Sequence, residues 1–221
     1  MLRRLCGFQW YRDCARDPIS SYTHLLGAIC SALAAIALAI VSAAHGGSAL
    51  QTASVGIFGL SLTALYAASS AFHFYNKGNA GVQLRLRKLD HAMIYVLIAG
   101  SYTPISIRYM EHPGSFLAVI WGIALAGILM KLVWMNAPRV LSTAIYVAMG
   151  WAVVTRPDAL ANMPLPVIAL IAAGGVSYSV GAVIYVLKKP NLSPQWGFHE
   201  IFHLLILLGS ALMVTAVFLF L

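Results

Sequence analysis

Residues 25–44 read LLGAICSALAAIALAIVSAA, twenty positions with no charged side chain. A helix needs about 20 apolar residues to cross the hydrocarbon core of a bilayer, and this run meets that length by itself. The sequence around it stays free of Asp, Glu, Lys and Arg from 18 to 76, enough for two crossings. It breaks at His45-Gly46-Gly47-Ser48, which reads as a turn between two helices. Further charge-free stretches cover 91–107, 112–130, 140–155, 159–187 and 201–221. Together they predict seven spans, at 22–44, 51–74, 90–108, 114–134, 139–155, 165–187 and 198–220.

Composition points the same way. Of the 221 residues, 61% are hydrophobic and 9% charged, and the mean hydropathy is +0.84. A soluble domain carries about 25% charged residues, so this chain lacks the polar surface to coat itself in water. The expected class is an all-α integral membrane protein, a seven-transmembrane helix bundle. The N-terminal MLRRLCGFQWYRDCARDP has neither the continuous apolar core nor the small-residue cleavage site of a secretory signal, so the first span is expected to be retained. Residues 1–17 read as a cytoplasmic segment and 18–221 as one transmembrane domain, since no linker or repeat divides them. Cys6, Cys14 and Cys30 form neither a disulfide framework nor a C-x-x-C site and read as free thiols.

Basic residues set the expected orientation. Arg3, Arg4, Arg12, Arg16, Lys77, Arg85, Arg87, Lys88, Lys131, Arg139, Lys188 and Lys189 fall on one side of a seven-span chain, and only Arg108 and Arg156 on the other. The positive-inside rule places the N-terminus in the cytoplasm and the C-terminus outside. The net charge of +8 is then a topology signal with attraction to anionic headgroups, and it calls for no nucleic acid.

Within a bilayer, ionisable side chains are costly and mark function. His73 closes the second span, Asp90 and His91 open the third, and GFHEIFHLL (197–205) opens the seventh with His199, Glu200 and His203. All lie at the cytoplasmic end of that topology. His199 and His203, four apart, project from one helical face and can bind one metal. His73 supplies a third imidazole from another helix, leaving an open position as in catalytic zinc sites. Asp90 is the expected general base beside the metal. Ser69, one turn before His73, either serves the site, by orienting a ligand or polarising a substrate carbonyl, or bonds its own backbone. His24 is expected to face the interface and His91 to point away from Asp90, while His45 and His112 fall in turns on the outer side.

His199-Glu200-x-x-His203 also matches H-E-x-x-H, the metalloprotease motif, in which Glu200 would be the base. A third ligand must then come from upstream, because no His, Asp, Glu or Cys follows His203. His73 and Asp90 fill both needs, and Glu200 reads as fortuitous.

With these motifs in hand, the chain resembles the hemolysin III group of the progestin and adipoQ receptor family, over essentially all of residues 18–221. The resemblance rests on Ser69-Ser-Ala-Phe-His73, on LDHAMIYVLIAGSYTP (89–104), and on His199 to His203 at the start of the last span. It implies zinc held by His73, His199 and His203 on the cytoplasmic side, with Asp90 and Ser69 beside the water. It implies links to hydrolysis of lipid amides such as ceramides, or to lipid sensing and membrane-lipid homeostasis. The long N-terminal extension of eukaryotic receptor members is missing, so a short bacterial plasma-membrane form is expected.

Three functions follow. One is a zinc-dependent hydrolase of an acyl lipid amide. Another is a non-enzymatic lipid sensor or cytolytic, channel-like protein with structural zinc. The last is an intramembrane zinc peptidase. Membrane lipids are the expected partners in the first two. A zinc transporter is disfavoured, because spans four to six carry no His or carboxylate to continue a path.

Overall fold

The computed structural model describes residues 8–193 and 195–221, with Phe8 and Gln9 described by their backbone. Arg3, Arg4 and Cys6 lie outside the described residues. The chain folds as α1 (Phe8–Cys14), α2 (Pro18–Ala44), α3 (Ala49–Phe74), α4 (Ala80–Tyr109), α5 (Pro113–Val133), α6 (Arg139–Gly150), α7 (Pro157–Asn162), α8 (Leu165–Leu187) and α9 (Phe198–Phe218). No strand occurs among the described residues.

Local chemistry sets the helix ends. Prolines stand in the first turn of α2, α5, α7 and α8, where a missing N–H costs nothing. Ser48 caps α3 by accepting from Gln51 N at 3.2 Å. Asn79 caps α4 by accepting from Gly81 N and Val82 N. The expected turn between the first two long helices is present, with Gly46 at φ +75°, a backbone region that disfavours other residues.

Five helices, α2, α3, α5, α8 and α9, are long and apolar enough to cross a membrane. Two expected spans take a different form. α4 begins at Ala80 rather than near 90 and carries Arg85, Arg87 and Lys88 on its extra turns. The segment expected at 139–155 divides into the 12-residue α6 and a 3₁₀ turn, Ala152–Thr155. Pro104 lies within α4, which continues to Tyr109.

α3 and α4 form the centre, with Val55, Phe58, Leu62, Tyr66 and Tyr95 fully buried. α2, α5 and α9 pack around them, and α6 and α8 complete the circuit beside α4 and α9. The outer faces carry Leu33, Ile36, Ile40, Val119 and Val133 in the open, a surface that lipid covers and water would not.

Close packing uses small residues. A Cβ on Gly59 would stand 2.3 Å from the Ala35 Cβ, and one on Gly127 would stand 2.3 Å from the Tyr95 ring. Gly174, Gly175 and Gly181 also face neighbours, but Gly122 and Gly150 face open space.

Candidate metal centre

The start of α2 lies against the end of α3, where Asp17 N donates to His73 O at 3.0 Å. The start of α9 meets the same corner. His73, His199 and His203 thereby come together, with one ring nitrogen from each lying within 4.8 Å of the others. His199 Nε2 stands 3.3 Å from His73 Nε2 and 3.2 Å from His203 Nε2. Zinc–nitrogen bonds of about 2.05 Å at a tetrahedral angle place neighbouring nitrogens about 3.3 Å apart. His199 Nε2 cannot satisfy two facing nitrogens with one proton, whereas a cation among the three satisfies all of them. This buried cluster can hold a metal ion.

His73 is held in the orientation that suits a ligand. Its Nδ1 donates to Asp17 Oδ2 at 2.9 Å, which leaves Nε2 unprotonated and turned toward the cluster. Arg16 bonds the same carboxylate at 2.8 Å. Burial opposes ionisation of Asp17, but the hydrogen bond from His73 and the bond and charge of Arg16 outweigh it. Its carboxyl is held below the ordinary carboxylate range.

Sequence reading missed Asp17, which directly precedes Pro18 and looks like a helix-start residue. It also misplaced His24. That ring is 3% exposed rather than interfacial, and it stacks on His203 with centroids 3.8 Å apart and planes at 19°. The packing of α9 against α2 covers it. Tyr66 packs edge-on against its other side and anchors to Ser210 Oγ at 2.6 Å.

Asp90 is not one of the clustered donors and lines the cavity beside them. Its Oδ2 lies 3.2 Å from His91 Nδ1, so these two side chains fold together despite the rotation between adjacent helical positions. Ser69, buried, approaches the Asp90 carboxylate. The cavity, of about 250 Å³, extends from the histidines between α4, α6, α8 and α9. Ile94, Ile98, Val147, Ala182 and Ile206 make its wall largely apolar.

Glu200 turns away from this chemistry. Its Oε2 accepts from Gly197 N at 3.0 Å and its Oε1 accepts from Ser20 Oγ at 3.1 Å. The carboxylate caps the start of α9 and ties it to α2.

A bundle of apolar helices around a buried trio of imidazoles defines a multi-pass helical membrane protein with a candidate metal centre. A family model described as Haemolysin-III related matches residues 12–214, and the chain belongs to that family. It is 34% identical over 201 residues to the Hemolysin-3 homolog of Bacillus subtilis (strain 168), covering 90% of this chain and 91% of the relative. Hemolysin-3 of Bacillus cereus is 34% identical over 201 residues, covering 90% of this chain and 88% of that protein.

Proposed function

We propose that this chain is a seven-span protein of the bacterial plasma membrane, N-terminus cytoplasmic and C-terminus outside, that hydrolyses an acyl lipid amide with zinc held by His73, His199 and His203. The observation that carries this reading is the clustering of three ring nitrogens within 4.8 Å, with His199 Nε2 at a spacing from the other two that suits tetrahedral zinc, on the wall of an apolar cavity that Asp90 also lines. A cluster of three imidazoles is a donor set that zinc accepts readily. When bound, zinc supplies a Lewis acid and acidifies water toward neutral pH.

The protein groups supply the rest. The apolar wall holds the acyl chain and excludes bulk water. Asp90 takes the proton of the attacking water as the carbon–oxygen bond forms, then delivers it to the amine as the carbon–nitrogen bond breaks. Ser69 positions Asp90. Free fatty acid and amine are the products.

Purified, zinc-loaded protein presented with N-acyl lipids tests this, with fatty acid release as the readout. Asp90→Asn should retain wild-type metal content and lose about 10²-fold or more in rate. The relatives' names favour a second reading, a cytolytic protein in which the metal closes the bundle. Full metal content without fatty acid release from any N-acyl lipid would establish that one. Against an intramembrane peptidase stands the capping role of Glu200. Glu200→Gln should keep both metal and turnover.

A further inference from the structure

The cavity that starts at the histidines also reaches a group of cations. Arg87 from α4, Lys131 from α5 and Arg139 from the start of α6 all line it, beside the hydroxyls of Ser142 and Thr143. Lysines near a membrane ordinarily snorkel to the headgroups on a flexible stem. Lys131 does the opposite. It is 3% exposed, and its ammonium donates to Ser142 Oγ at 2.5 Å.

One carboxylate, Asp90, lines the same cavity and can offset at most one of the three positive charges. The chain holds six acids. Asp13, Asp17 and Asp158 pair with Arg12, Arg16 and Arg156, and Asp90 Oδ2 lies 3.2 Å from His91 Nδ1. Glu200 caps α9, and the backbone of Glu111 bonds to Asp158, away from this group. Arg139 donates to Tyr185 O at 3.0 Å and stacks over the Tyr185 ring, which fixes its guanidinium without neutralising it. A buried, unpaired cation is costly unless a counter-charge arrives. Guanidinium and ammonium groups with adjacent hydroxyls form a donor set that suits phosphate.

We infer that Arg87, Lys131 and Arg139 bind the phosphate headgroup of an anionic acyl lipid whose chain occupies the apolar part of the same cavity. This rests on the reading of that cavity as an acyl-lipid site and narrows the lipid class. It requires neither zinc nor turnover.

The test is native mass spectrometry of the purified full chain, released from micelles holding equal phosphatidylglycerol and phosphatidylcholine of identical acyl chains. Wild type should retain phosphatidylglycerol about 10-fold over phosphatidylcholine, a difference equal to one tenfold step in affinity. Lys131→Met should bring the ratio near parity, and Arg87→Gln, at an exposed position, should lower it several-fold. Both variants should keep wild-type metal content, so loss of hydrolase activity elsewhere leaves this readout intact. Inorganic phosphate separates the sources. Weak millimolar competition by it supports a lipid headgroup, and phosphate binding with no phosphatidylglycerol preference overturns the inference in favour of a soluble anion. Equal retention of the two lipids by wild type, or an unchanged ratio in both variants, overturns it as well.

Discussion

Asp17 shows how a single residue outside the ligand set can govern the centre. Its carboxylate accepts from His73 Nδ1 at 2.9 Å and fixes which ring nitrogen is free for a metal. Asp17→Asn keeps the size of the side chain and removes the charge, so zinc affinity should fall about 10- to 100-fold, as read by competition with a chromophoric chelator. His73→Ala should abolish stoichiometric binding altogether. The three histidines are legible in the sequence because two obey i,i+4 spacing and the third lies at matching depth. Asp17 is not, because its partner is 56 residues away and only the return of α3 beside the start of α2 joins them. His24 is illegible for a related reason. Depth along a helix follows from counting residues, but the face a residue presents depends on which helix packs against it.

The same division between depth and facing holds for whole helices. Charge-free runs locate α2, α3, α5, α8 and α9 within a few residues, because hydropathy alone decides where an apolar helix can begin and end. They do not reveal the early start of α4 or the short α6. α4 gains its first turns from Asn79 capping, which hydropathy does not register. Glycines are readable as small residues but not as contacts. Gly59 meets the Ala35 backbone, with Cα 2.7 Å from a would-be Cβ, so neither helix can yield without separating α2 from α3. Gly59→Val should therefore cost about 1–3 kcal/mol, seen as a lower apparent Tm in detergent. Gly122→Ala, facing open space, should leave the Tm within about a degree, or raise it through better helix propensity.

At the scale of the molecule, the open question is whether α4 and α6 cross the membrane with the five more apolar helices. Five and seven crossings both place the termini on opposite sides, so fusions at the ends detect only the case in which one of α4 and α6 crosses alone. The loops flanking α5 can. If α4 crosses, His112 lies outside and Asn136 inside; if α4 and α6 both stay on their starting sides, the two positions exchange. Contacts at the ends of α4 support the crossing. Near its start, Lys88 Nζ donates to Leu132 O at the end of α5, and just past its end Glu111 N donates to an Asp158 oxygen. The 23 positions from Lys88 to Glu111, at 1.5 Å per residue, reach about 34 Å, enough to cross the roughly 30 Å hydrocarbon thickness. The cations agree, since Arg87, Lys131 and Arg139 share one cavity and hence one end of the bundle. The positive-inside rule would assign that end to the cytoplasm. Alkaline phosphatase fused after His112 should be active and after Asn136 inactive. The reverse pattern would mean that α4 does not cross and would put Lys131 and Arg139 on the side of the membrane opposite His73.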